Sequence, residues 1–313
     1  MGRRKSGRNV SGVILLDKPR DITSNAALQQ VRRFFNANKA GHTGALDPLA
    51  TGLLPLCFGE ATKVSHFALE ADKTYRVVAQ LGARTTTSDA EGEVEWRCEP
   101  SALESLTQAQ IEKAIAHFVG EQAQSPSMYS ALKHEGRPLY WYARQGIEVP
   151  RKTRQITIHK ISFVEWVNHQ LTLEVTCSKG TYIRTLIDDM GQFLGCGAYV
   201  QELHRSWIEG VEGPMLSLAE ITEVAQQTNR EAGDYAALDA LLQPNDCVIR
   251  QIQAVSIDAE NAMRFQSGNP AKVSLDAPTS AAAWRVFHAD SGEFLGIGIW
   301  QNGVLSPKRV LNL

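Results

Sequence analysis

The stretch Ala40-Gly-His-Thr-Gly-Ala-Leu-Asp-Pro-Leu-Ala-Thr-Gly52 holds the residues best suited to chemistry. Asp47 sits in a glycine-punctuated loop between Leu46, Pro48 and Leu49, with His42 five positions upstream. A carboxylate among apolar neighbours needs a cation or a hydrogen-bond donor to stay ionised, and one so held can act as a base or a nucleophile. The same Asp-Pro pair is also a turn former, and His42 can equally be structural. Other chemistries lack their motifs. His42 and Asp47 do not have HExxH spacing, and the five cysteines (Cys57, Cys98, Cys177, Cys196 and Cys247) form no CxxC pair. Gly59-Glu-Ala-Thr-Lys63 lacks the Gly-Lys-Ser/Thr ending of a phosphate loop. Neither a GxSxG elbow nor a GxGxxG fingerprint occurs. The expectation is chemistry by ordinary side chains, with no metal and no cofactor, and with the cysteines reduced and in the core.

The elements that must position these residues are legible in part. Val13 to Leu16 reads as a buried strand ended by Asp17-Lys-Pro19. Thr23 or Ser24 caps a helix with Leu28, Val31 and Phe35 on one face. Residues 40–52 are too rich in glycine and proline for a regular helix. Thr74 to Leu81 alternates as a strand, with Tyr75, Val77, Ala79 and Leu81 on one side. Thr107 opens an amphipathic helix carrying Ile111, Ala114, Ile115 and Phe118. Leu171 to Cys177 is a strand, and the turn Ser178-Lys-Gly-Thr-Tyr182 leads into a helix with Leu186, Ile187 and Met190. Long stretches between strands predict an α+β fold.

The chain has 313 residues and a net charge of −2, enough for two domains. It has no apolar run of membrane-span length, and the five residues Gly12 to Leu16 are too short for a signal-peptide core. A cytoplasmic protein without membrane partner is expected. Residues 124–152 are polar, basic and aromatic and read as an excursion from the body; Lys133, Arg137, Arg144, Arg151, Lys152, Arg154 and Lys160 face only Glu135 and Glu148 between 125 and 160. Such a local basic surface suits phosphate contact. From about residue 250 the chain leans to β structure, after a linker at Leu242-Gln-Pro-Asn-Asp246.

Five blocks in order resemble the TruB family of tRNA pseudouridine synthases, bacterial enzymes for uridine 55 of the T arm. They are Gly12-Val-Ile-Leu-Leu-Asp-Lys-Pro19 with Thr23-Ser24, the long Gly41–Gly52 block, and Lys73-Thr-Tyr75 with Thr85-Thr-Thr-Ser-Asp89. Pro126-Ser-Met-Tyr-Ser-Ala-Leu-Lys133 and Ser178-Lys-Gly-Thr-Tyr-Ile-Arg184 with Asp188-Asp189 follow. Asp21 departs from the pattern, which usually has glycine there. The resemblance implies a pseudouridine-synthase fold with a mixed, largely antiparallel central sheet. It implies a catalytic domain at 1–249, with an RNA-clamping insertion near 124–152, and a small PUA-like RNA-binding β-barrel at 250–313. It implies Asp47 as the catalytic carboxylate, Arg184 as its counter-charge and Tyr75 stacked on the target base. His42 would fill the space of a flipped base; Lys18 and Lys63 would contact phosphate; Tyr182 and Leu203 would line the substrate site, Leu203 being equally explained by core packing. The implied partner is the tRNA T stem-loop, with no protein partner required. A guide-dependent synthase within a ribonucleoprotein and a non-catalytic tRNA-folding chaperone are the alternatives. The sizeable excursion and the intact Asp47, Tyr75 and Arg184 set argue against them.

Overall fold

The computed structural model describes residues 7–130, 132–273, 282–301 and 303–312. The fold is mixed α+β, and the chain divides into two compact units.

The first unit comprises Met1–Pro48, Gly52–Ala71 and Ile208–Leu313. Its central strand is Gly12–Lys18, in which every residue but Asp17 is buried. An apolar run covered on both faces needs no alternation, which is why this segment reads as continuous hydrophobic sequence. It pairs antiparallel with Thr51–Phe58, from Gly12 opposite Phe58 to Lys18 opposite Gly52, and parallel with the short strand Leu216–Ser217. The Ser24–Phe34 helix follows; Thr23 is its cap, accepting from the Ala26 N–H, and Arg32 and Arg33 in the last turn suit the helix dipole. Ala27, Leu28, Val31 and Phe35 are buried along one face, as the periodicity predicts.

From Ala254 the chain builds a five-stranded sheet in the order Ala254–Ile257, Ala282–His288, Phe294–Gln301, Val304–Val310, Ala271–Lys272. Val255, Phe265, Trp284, Val286 and Leu305 form its apolar interior. Phe294, Ile297 and Leu311 instead join Val13, Leu15, Cys57 and Ile249 in a separate apolar cluster.

The second unit comprises Leu49–Thr51 and Asp72–Trp207. Its strands run in the order Ala198–Ile208, Lys73–Leu81, Gln170–Cys177, Arg154–Val167, Gly120–Gln124. The last four pair antiparallel throughout. The Gln108–Phe118 helix begins with a capping box between Thr107 and Gln110. The Ile183–Phe193 helix buries Leu186, Ile187 and Met190, and also Arg184 and Asp188. The excursion leaves the sheet after Gln124, forms a tight hairpin of Lys133–His134 with Arg137–Pro138, adds a short helix at Leu139–Ala143, and returns at Arg154. Among the described residues no helix is long and apolar enough to cross a membrane.

Candidate active site

In the first unit, the loop carrying Asp47 is gripped on both sides of the carboxylate. Ser24 is 3% exposed; its hydroxyl donates to the Leu46 carbonyl (2.9 Å) and accepts from the Leu46 N–H (2.7 Å). Thr23 caps the helix, which leaves Ser24 to hold the loop. On the other side, the Pro48 carbonyl accepts from the Asp21 N–H (2.9 Å) and from the Lys18 ammonium (3.3 Å). Lys18 also donates to the carbonyls of Pro19 (2.8 Å) and Ile22 (2.7 Å). The Thr43 N–H bonds the Pro55 carbonyl at 3.2 Å, and Gly44 takes a left-handed φ of 92°, a turn only glycine makes cheaply. Asp47 itself is partly exposed between these clamps. His42 ends the short strand Ala40–His42, opposite Leu56.

Lys18 corrects an expectation. It has no exposed surface, so it does not present its charge to a phosphate in solution. A buried ammonium is costly unless its donors are satisfied, and the carbonyls of Pro19, Ile22 and Pro48 each accept from it. Lys18 is a loop anchor. Lys63, the other expected phosphate contact, pairs with Glu60 and donates to the Val310 carbonyl at 2.8 Å. Burial pushes the Glu60 carboxyl up, but the bonds from Lys63 and the Asn312 N–H outweigh it and hold the group below its ordinary range.

In the second unit, Arg184 is the second residue of its helix and is 5% exposed. One arm of the guanidinium meets the Asp89 carboxylate (3.3 Å) and the Thr87 carbonyl (3.1 Å). The other donates to the Tyr129 carbonyl, at the foot of the excursion, at 2.9 Å. Asp89 is 1% exposed and accepts from the Thr87 hydroxyl and the Glu91 N–H. The loop bearing it is tied down by bonds from Ala90 N–H to the Val200 carbonyl and from Val200 N–H to the Ser88 carbonyl. Tyr182 is held through its backbone by Gln124. Tyr75 lies opposite Val175, half-exposed on the side of its strand where Val77, Ala79 and Leu81 are buried. Leu203 is 8% exposed, and the adjacent His204 Nδ1 lies 2.9 Å from the Thr51 hydroxyl.

Beside Arg184 the same helix carries two acids. Asp188 accepts from the Nε and Nη2 of Arg84, at 2.7 and 2.8 Å. Burial and the charge of Asp188 push Asp189 up to about 6 despite Arg84. These three line a cleft together with Ser125, Tyr129, Glu148 and Arg151 of the excursion. Burial pushes the Cys177 and Cys196 thiols up to about 11, which disfavours the thiolate. Among the described residues no cluster of His, Cys, Asp or Glu is arranged to hold a metal ion.

The sequence-predicted residues thus fall into two sets. Asp47, His42, Lys18 and Lys63 belong to the first unit, and Tyr75, Tyr182, Arg184 and Leu203 to the second. Sequence reasoning gave Ser24 only as a helix-cap candidate and assigned no role to Asp89 or Gln124. Ser24 and Asp89 stand inside recognised blocks, which is the signal that could have found them; Gln124 carries none.

Three stretches match known families along the chain. Residues 32–183 match the TruB family pseudouridylate synthase N-terminal domain, 184–250 the tRNA pseudouridylate synthase B C-terminal domain, and 254–311 the pseudouridine synthase II TruB C-terminal domain. The chain is 51% identical to tRNA pseudouridine synthase B of Idiomarina loihiensis, over 99% of its own length and 96% of the relative's. The same-named proteins of Photorhabdus laumondii and of a Yersinia pestis strain are 46% and 49% identical, again over 99% of this chain, and over 98% and 95% of theirs. Among solved structures, a Cbf5-Nop10-Gar1 complex contains a chain of the same fold, with a TM-score of 0.71 at 22% identity over 96% of this chain and 84% of that one. An H/ACA RNP bound to a substrate RNA containing 2′-deoxyuridine contains another, at 0.72 and 20% over 100% and 92%. With its motifs in order and its relatives matched end to end, the chain belongs to the TruB family of pseudouridylate synthases.

Proposed function

We propose that this enzyme converts uridine 55 in the T arm of tRNA to pseudouridine, acting in the cytoplasm without guide RNA or protein partner. The observation that carries the reading is the near-complete alignment, at 46–51% identity, with proteins named tRNA pseudouridine synthase B. The assignment of position 55 rests on the motif resemblance. The reaction breaks the C1′–N1 bond, turns the detached base and joins C1′ to C5. A proton leaves C5 and one is gained at N1, so composition is unchanged and no redox partner is consumed. Asp47 is the catalytic carboxylate, either attacking the nucleotide or taking the C2′ proton. Its clamped loop supports this role, since a reacting group must be held in one place. Tyr75 stacks on the target base, and Tyr182 and Leu203 line the site. The uridine must leave its stack, at a cost of a few kcal/mol, and His42 helps occupy the vacated space.

Arg184 serves the chemistry and not the RNA backbone. Its burial and its bonds to Asp89, Thr87 and Tyr129 support this. The excursion at 124–152 closes over the T arm with its exposed basic residues, and residues 250–313 form a PUA-like RNA-binding domain beside a catalytic domain at 1–249.

The test is an assay of purified protein on unmodified tRNA transcript with no guide RNA, mapping pseudouridine along the product. Modification at position 55 by the wild type is expected. Asp47→Asn should give none over many enzyme equivalents and bind the transcript as the wild type does, since phosphate contacts dominate affinity. No product without a guide, product elsewhere, or substantial turnover by the Asn variant would each overturn the corresponding part.

A further inference from the structure

The helix that carries Arg184 has no cap of its own. Tyr182 occupies the N-cap position, and no side chain there bonds the first turn. Helix starts leave N–H groups without intrahelical partners, and an uncapped start can shift or fray. Here a residue 58 positions away does the fixing. The Gln124 side-chain oxygen accepts from the Tyr182 N–H at 2.8 Å, and its amide nitrogen donates to the Tyr182 carbonyl at 3.1 Å. That carbonyl also accepts the helix's bond from Leu186 N–H at 3.1 Å. Gln124 is 4% exposed, so neither bond competes with bulk water. One planar amide therefore holds both polar groups of one peptide residue, which sets the position and the direction of the chain two residues before the guanidinium.

Gln124 also stands at the neck of the excursion. It is the last residue of its strand, and its rung is Arg154, where the chain returns to the sheet. The neck is closed further by Arg151 donating to the Pro126 carbonyl at 3.1 Å. Five residues past Gln124, the Tyr129 carbonyl accepts from Arg184 itself. The root of the excursion thus touches the arginine's helix at its backbone start and the arginine at its tip.

We infer that Gln124 is a positioning residue for catalysis: it fixes the start of the Arg184 helix and ties the orientation of that arginine to the root of the RNA-facing excursion. This rests on the proposed role of Arg184. Misplacing a catalytic group by about an ångström costs up to about 100-fold in rate. Gln124→Met keeps the volume and removes both bonds.

The measurement is the single-turnover rate on tRNA transcript, well below each variant's Tm, with affinity recorded alongside. Gln124→Met should slow the wild type by about 10- to 100-fold with affinity changed less than about threefold. In an Arg184→Lys background the same substitution should cost less than about twofold, because the arginine it positions is gone. If Gln124→Met does not fold, Gln124→Glu replaces it. Its carboxylate loses the donor, and protonation restores it, so its rate relative to wild type should rise as pH falls. A wild-type rate with a lowered Tm, an equal loss in both backgrounds, or a flat pH ratio for Gln124→Glu would overturn the inference. The two readings fail separately. Arg184→Lys at the wild-type rate removes the arginine's role, and this inference with it; an impaired Arg184→Lys beside a full-rate Gln124→Met removes this inference alone.

Discussion

Arg184 and Asp21 show how much one side chain's surroundings decide. A phosphate-binding arginine is solvated and interchangeable with lysine as a charge; a buried one engaging a carboxylate and two carbonyls uses its planar fork. Arg184→Lys should therefore lower the single-turnover rate by about tenfold or more while leaving affinity and its salt slope unchanged. A salt slope shallower by about one, with a full rate, would assign Arg184 to phosphate. Asp21 is the family departure seen in the sequence, and it sits at φ 65°. Left-handed backbone costs most side chains about 1 kcal/mol or more, aspartate somewhat less, and glycine little. The turn matters because its N–H holds Pro48 beside Asp47. Asp21→Gly should raise stability by about 0.5 kcal/mol without slowing turnover, read from urea denaturation; a loss of stability would show that the aspartate side chain earns its place.

At the scale of elements, the Ile183–Phe193 helix concentrates charge that a surface helix would spread to solvent. Arg184, Asp188 and Asp189 lie within two turns, and the first two are buried. Asp189 titrates near 6 in the fold and near 3.8 when unperturbed. As pH rises from about 4 to about 6, the unfolded chain sheds this proton first, so the group draws stability down across that window. The penalty stands in full above it. Asp189→Asn should then be more stable than wild type at pH 8 by about 1 kcal/mol, a figure already discounted for partial solvent exposure. The advantage should vanish towards pH 4. Chemical denaturation at several pH values measures it, and a pH-independent difference would refute the assignment.

At the scale of the whole molecule, long-range pins tie the chain's last strand to its early turns within one unit. Lys63 and Glu60 hold Val310 and Asn312, while Arg285 meets the buried Asp246 at 2.6 Å. Lys63→Met should destabilise by about 1–2 kcal/mol, the worth of a charge-assisted bond, and leave the salt dependence of tRNA binding unchanged. Weaker binding with a shallower slope and an unaltered Tm would instead restore Lys63 as a phosphate contact.

Local pattern carries much of this molecule because local physics does. The apolar run Val13–Leu16, the helix face of Leu28, Val31 and Phe35, the cap at Thr107 and the strand over Thr74–Leu81 all appear where local pattern puts them. Each depends on neighbours within a turn or two. The motif blocks identify the family because they are long and stand in order along the chain. What the sequence could not decide is which distant polar group each buried side chain meets. Lys18 is expected from the motif resemblance to contact phosphate, yet the strand that carries it is buried, and its ammonium closes on the Pro48 carbonyl 30 positions away. Ser24 and Thr23 are equivalent caps by type; only the approach of Leu46 assigns Ser24 to the loop. The Arg184 contacts to Thr87 and Tyr129 span 97 and 55 positions, and Gln124 meets Tyr182 across 58. Such pairs follow from strand order and register, and the cost of leaving a buried donor unpaired selects them. That cost exists only once tertiary packing has excluded water.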